Sequence, residues 1–258
     1  MHVLKSLLVA CVVALCAGLA AAQGVATVAA ASDLKFALDE IVAAYQRQTG
    51  TRVRVTYGSS GNLFRQIGQD APFELFLSAD EGFVFQLADR NLTPDRGVLY
   101  GVGRIVLFVP KGSTLRSDAS MSDVARGLAD GRLRKLAIAN PEHAPYGRAA
   151  MQALRSAGLW DAVQPALVLG ENVSQAAQFA ASGSAQAGIF AYSLALAPAF
   201  ADAGSYTLLP ERLHEPLRQR MVLTRKAGAA ARAFHAHLQQ PAARAVFKRY
   251  GFVVPGEA

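Results

Sequence analysis

The chain has 258 residues, a formal net charge of +7 and a hydrophobic share of 52%. That is enough to build one large domain or two modest lobes. The basic residues are scattered, and the Arg-rich C-terminal part is interleaved with Ala. There is no basic stripe with stacking aromatics, so nucleic-acid binding is excluded, while the positive surface still attracts small anions at long range.

The N-terminus reads as an export signal. Lys5 gives a positive start, Leu7 to Leu19 is a continuous apolar run, and Ala20-Ala21-Ala22 is a small-residue cleavage site. Residues 1–22 are therefore expected to be a signal peptide and the protein to reach the periplasm. Leu8-Val9-Ala10-Cys11 offers a lipoprotein alternative, but it would leave almost no apolar segment before the cut. Both cysteines, Cys11 and Cys16, lie in this leader. The mature chain then has no disulfide, thiol nucleophile or thiolate metal site, and its core must supply the stability.

After the leader, strands and helices alternate. Val25 to Ala30 reads as a buried strand. Leu34, Leu38, Ile41, Val42 and Tyr45 then recur at helical spacing, with Ser32 in the cap position and Gly50 at the end. Arg52 to Tyr57 alternates as a strand, 58–62 is a tight turn, and Leu63, Phe64 and Ile67 begin a second helix. A strand over 73–77 and a helix over 81–91 follow. Ile105 to Val109 is a strand ending at Pro110. A second series gives helices over 122–129, 147–157 and 173–181, strands over 136–139, 166–169 and 187–190, and a short helix near Ser193. Met221 to Thr224 returns as a strand. The end is helical, with Pro241 at a helix start. Repeated strand–helix units predict an α/β fold with mostly parallel sheets, and two series predict two lobes meeting at a cleft.

Four strand-to-helix junctions are rich in small polar residues: Ala30-Ala31-Ser32, Gly58-Ser59-Ser60-Gly61, Pro141 to Gly147, and Gly170 to Ser174. Each precedes a helix start, where free backbone N–H groups and the macrodipole favour an anion. The plainer reading of Ser32 and Ser60 is that of ordinary helix caps, and only convergence of the junctions would displace it. The glycine turn lacks the G-x-S-x-G spacing of a hydrolase, which would also need His143 with Asp80 or Glu142. His235 and His237 are two apart on a helix and face different sides, so they make a poor metal pair.

The segments VATVAAASDLKFAL, TYGSSGNLFRQI, PFELFLSAD, ANPEHAPYGRAAMQAL, GENVSQAAQFAASGSAQAGI and FKRYGF resemble the periplasmic molybdate-binding proteins of ABC transporters. The resemblance spans essentially the whole mature chain. It implies a two-lobe type II periplasmic-binding fold, with mixed, mainly parallel sheets flanked by helices and a hinge of two crossing segments. Lobe 1 is expected over 23–103 and 224–258, and lobe 2 over 104–223. The resemblance implies a non-enzymatic protein that captures molybdate or tungstate as a monomer, without a cofactor, and delivers it to a membrane permease with a cytoplasmic ATPase. It places the oxyanion ligands on the hydroxyl and N–H of Ser32 and Ser60, and on the backbone N–H of Tyr146 and Val173. Molybdenum is held through its oxygens, without direct metal ligands. Some members add a tyrosine hydroxyl after the strand that here reads Gly188-Ile189-Phe190-Ala191-Tyr192. Ala191 takes that position, and Tyr192, one residue late, is the fifth candidate; strand neighbours face opposite ways, so it is expected to contribute little. Another tetrahedral oxyanion, ferric iron and a secreted serine hydrolase are the alternatives; iron would call for a cluster of tyrosines, whereas Tyr57, Tyr146 and Tyr192 are spread over separate loops.

Overall fold

The computed structural model describes residues 24–256. The expected signal peptide and the lipoprotein alternative lie outside the described residues.

The first sheet has the order β2-β1-β3-β10-β4. Strands β1 (Ala26–Ala31), β2 (Val53–Gly58) and β3 (Leu75–Ser78) pair in parallel. They are joined by helices α1 (Lys35–Thr49) and α2 (Ser60–Gly68), and α3 (Glu81–Asp89) follows β3. Strand β10 (Leu217–Leu223) pairs antiparallel with both β3 and β4 (Val98–Gly103). Alternate residues of β1 and β3 serve opposite faces: Val28, Ala30, Leu75 and Leu77 join one apolar cluster, Ala29 and Phe76 another. Helix α1 buries Leu38, Ile41, Val42 and Tyr45, the residues whose spacing predicted it. It ends at Gly50, whose φ of 72° suits glycine.

The second sheet has the order β7-β6-β8-β5-β9. Its strands are β5 (Ile105–Pro110), β6 (Leu136–Ala139), β7 (Leu167–Gly170), β8 (Ala187–Ala191) and β9 (Gly204–Leu208). Around it lie α4 (Ser122–Ala129), α5 (Pro145–Ser156), α6 (Trp160–Val163), α7 (Val173–Ala181) and α8 (Tyr192–Ala195). Every residue of β5 is buried, as expected for a central strand covered on both faces. Phe108 of β5 and Phe190 of β8 meet with ring centroids 5.3 Å apart. Helices α9 (Ala229–Leu238) and α10 (Pro241–Arg249) pack on the first sheet through Phe234, Leu238 and Phe247.

The chain passes from the first sheet to the second between β4 and β5, and returns before β10. These are two crossing segments, and the architecture is the expected two-lobe fold with mixed sheets. Parallel and antiparallel pairings occur in equal number, because β5 and β10, the strands that follow the crossings, each run against both neighbours. The expected return to lobe 1 at residue 224 is corrected: Leu217–Leu223 is already a ladder strand of the first sheet, so the return lies between β9 and β10.

Candidate functional site

The parallel strands of both sheets end at one cavity. Junctions after β1, β2 and β3 supply Ser32, Asp33, Ser59, Ser60 and Ala79 from one lobe, and those after β6 and β7 supply Ala144, Pro145, Tyr146 and Val173 from the other. This is where open α/β sheets place ligands. The cavity holds about 10 Å³, roughly the space of one water-sized sphere. Ser32, Ser60, Tyr146 and Val173, four of the five residues singled out from the sequence, are thus brought together.

The donors come from helix starts. Ser32 opens a 3₁₀ turn (Ser32–Leu34) ahead of α1, and Ser60 opens α2. Neither is the cap. The caps are Ala31 and Ser59, and neither makes a side-chain capping bond; the same holds for Ala144 ahead of α5. Asn172 does cap α7, accepting from the Gln175 N–H at 3.1 Å. The N–H groups of Ser32, Ser60, Tyr146 and Val173 all lie in first turns, where no intrahelical acceptor exists. Helix geometry thus supplies four donors and the positive ends of the helix dipoles.

The two serine hydroxyls are oriented from behind. Ser60 Oγ accepts from the Ala79 N–H at 2.9 Å, and Ser32 Oγ accepts from the Ser174 N–H at 3.3 Å. An oxygen that accepts in this way keeps its own hydrogen to donate. Ser60→Ala should therefore weaken anion binding by roughly 1.5–3 kcal/mol, the range for one charge-assisted bond. Calorimetric titration checks this, and an unchanged dissociation constant would remove Ser60 from the site.

Several bonds clasp the lobes around the cavity. The Gly61 N–H donates to the His143 carbonyl at 3.0 Å, and Ser59 Oγ meets His143 Nδ1 at 2.9 Å. Ser174 Oγ donates to the Ser32 carbonyl at 2.8 Å. Arg148 of α5 pairs with Asp80, and Asn62 bonds Glu171.

Asp33 is the cavity residue that sequence reading passed over. It is 1% exposed. Its Oδ2 accepts from Gln219 Nε2 at 2.8 Å, while its Oδ1 is buried without a hydrogen-bond partner. The Tyr100 hydroxyl donates to Gln219 Oε1 at 2.6 Å, which fixes the amide with its nitrogen toward Asp33. That nitrogen also donates to the Tyr146 hydroxyl at 2.9 Å. Burial raises the pKa of the Asp33 carboxyl from 3.8 to about 6, against the opposing influence of Gln219 and Tyr146. The same burial, reinforced by the Asp33 charge, pushes Tyr100 and Tyr146 far up, so both stay neutral. The available signal was an acid directly after the candidate serine at a helix start.

Comparison with known proteins agrees with this geometry. Residues 26–253 match the model of a family described as bacterial extracellular solute-binding protein. The molybdate-binding protein ModA of Rhodobacter capsulatus is 34% identical over 252 residues, covering 93% of each chain. ModA of Azotobacter vinelandii is 35% identical over 247 residues, covering 93% of this chain and 96% of the relative. The solved structure of the periplasmic molybdate-binding protein of Azotobacter vinelandii superposes with a TM-score of 0.81 at 31% identity, covering 89% of this chain and 99% of that one. The chain belongs to the ModA family of bacterial extracellular solute-binding proteins. Family membership makes it a solute-binding transport component, not an enzyme.

The remaining candidates fall away from the cavity for identifiable reasons. Tyr192 does not line it. Strand β8 ends at Ala191, and the ring of Tyr192 lies 5.7 Å from that of Tyr206 in β9 and packs on Gly251 near the C-terminus. Tyr192→Phe is therefore expected to leave oxyanion affinity unchanged within about twofold, well inside the smallest effect of a lost bond; a tenfold loss would put Tyr192 back in the site. Tyr57 donates to Asp39 at 2.6 Å, so the three tyrosines of the iron alternative do not converge. The hydroxyl that meets His143 is Ser59 rather than Ser60, and Asp80 is engaged by Arg148. In a ModA-family chain this serine–histidine contact belongs to the clasp between lobes.

Proposed function

We propose that the protein captures molybdate between its lobes in the periplasm and delivers it to an ABC permease driven by a cytoplasmic ATPase. The observation that carries this reading is the convergence of uncapped first-turn N–H groups and two oriented serine hydroxyls, drawn from both lobes, on one small cavity. Molybdate is an unprotonated dianion at neutral pH. A shell of donors suits it, whereas a protonated phosphate needs an acceptor. The cavity lining holds no Lys or Arg. Charge-assisted hydrogen bonds, at roughly 1.5–3 kcal/mol each, offset the desolvation of the anion in place of a counter-ion. The names of the relatives support the same anion. Tungstate is nearly the same size and binds alike; sulfate has shorter bonds and fills the space less well. The protein acts as a monomer, opening and closing about the two crossing segments.

Isothermal titration of the mature protein tests this. Tight binding of molybdate and tungstate with weak sulfate binding is expected. Equal affinity for sulfate would make the protein a general oxyanion carrier and overturn the molybdate assignment.

A further inference from the structure

We propose that capture of the anion is coupled to uptake of one proton by Asp33, so that the aspartate sits in the loaded site as a neutral carboxylic acid. This rests on the oxyanion reading above. Asp33 is among the residues that line the cavity of Ser32 and Ser60, so the charge of an anion bound there acts on its buried carboxyl through a poorly screened interior. Among the described residues Asp33 forms no salt bridge, and the groups facing it are neutral: Tyr146 from α5, Tyr100 from β4, Gln219 from β10 and Ser193 from α8. The Tyr100 hydroxyl holds Gln219 with its amide nitrogen toward Oδ2, which leaves Oδ1 without a partner. Oδ1 is therefore the free position for a proton, and the protonated oxygen becomes a donor. An ionised carboxylate at the same place would add a buried like charge beside a dianion, an arrangement that favours protonation of one partner. Molybdate does not take the proton near neutral pH, so Asp33 does. One proton from solvent, the Asp33 carboxylate and the dianion give a neutral acid beside the dianion, one unit less negative than the carboxylate and the dianion together. The empty site already leans this way, since burial raises the carboxyl pKa to about 6 despite the opposing hydrogen bonds of Gln219 and Tyr146.

The consequence is a pH-dependent grip. Above the pKa of the empty site, affinity for an unprotonated oxyanion falls by up to about tenfold for each pH unit. In a more acidic surrounding the protein holds its cargo more firmly. Asp33 also shapes selectivity. As a neutral acid it adds no like charge to the cavity, which favours a fully ionised dianion.

The test is calorimetry of sodium molybdate binding to the full mature protein between about pH 6.5 and about pH 8.5, in two buffers of different ionisation enthalpy. The wild type should take up close to one proton per anion at the alkaline end, and its dissociation constant should rise with pH. Asp33→Asn should bind with no net proton uptake and a pH-independent constant, tighter than wild type at the alkaline end. Wild-type binding with no proton uptake would overturn the coupling while leaving the oxyanion reading intact. Proton uptake that persists in Asp33→Asn would assign it to another group and overturn it equally. Absence of molybdate binding by the wild type at every pH would overturn both readings. Thermal unfolding of Asp33→Asn without ligand establishes that the variant is folded.

Discussion

A Gly61→Ala protein should fold normally and lose most of its response to molybdate. A Cβ on Gly61 would lie 2.6 Å from the carbonyl oxygen of His143 and 3.1 Å from its Cα. Gly61 belongs to α2 of one lobe and His143 to the junction after β6 of the other, so the collision exists only when the lobes are closed. It is backbone that is struck, and no flexible side chain can turn aside. The lobes must separate, and the 3.0 Å bond from the Gly61 N–H to that carbonyl is lost with the approach. In the open form the same methyl group meets none of these atoms. There alanine is a better helix residue than glycine, by up to about 1 kcal/mol. The free protein should thus melt at the same temperature or slightly higher. Anion affinity should fall at least about a hundredfold, because the donors of Tyr146 and Val173 no longer reach an anion held by Ser32 and Ser60. Thermal shift with and without molybdate separates the two effects, since a ligand stabilises only the form it binds. An undiminished shift would show that closure does not require this contact.

Much of the architecture is legible in the sequence, because each signal there is local. Leu38, Ile41, Val42 and Tyr45 announce the buried face of α1, and helices Ser122–Ala129, Val173–Ala181 and Ala229–Leu238 begin and end where their periodicity does. What stayed hidden depends on partners distant in the chain. Strand β4 carries two glycines and is not among the elements expected from the sequence; it is a strand because β10 and the bridge from Val253 to Val102 hold it. Strand β9 is a short edge strand beside β5, with exposed residues that give no clear alternation. At the site, the serines and helix starts were visible as motifs. Their exclusion as caps was not, because that depends on Ala79 and Ser174 approaching from elsewhere. Asp33 was invisible for the same reason. A lone acid after a serine carries no mark of burial, and Gln219, which fixes its environment, is 186 residues away along the chain.

Replacing Asp33 by asparagine should make the ligand-free protein more stable at neutral and alkaline pH and leave it unchanged in acid. The sign follows from the carboxyl's two environments. In the unfolded chain it has its ordinary value of 3.8, and in the fold burial raises this to about 6. Below the lower value both states carry the proton and nothing is lost. Between the two, the unfolded state gives up its proton first, so stability declines as pH rises. Above about pH 6 both states are ionised and the fold carries the full cost of a desolvated charge. A displacement of that size corresponds to about 3 kcal/mol. Asparagine removes the charge and keeps the geometry, since its carbonyl oxygen can still accept from Gln219. The variant should melt roughly 6–12 °C above wild type at about pH 8, and together with it at about pH 4. A difference that does not change with pH would mean that the gain comes from packing and that Asp33 is not ionised in the empty site. A substitution that stabilises the fold at the centre of its binding cavity marks a residue kept at a cost for the sake of its site. The strain is placed where it can act on the ligand. The cost of the Asp33 charge in the empty cleft is relieved when the carboxyl takes a proton from solvent, and a bound anion extends that uptake to pH values at which the empty site stays ionised.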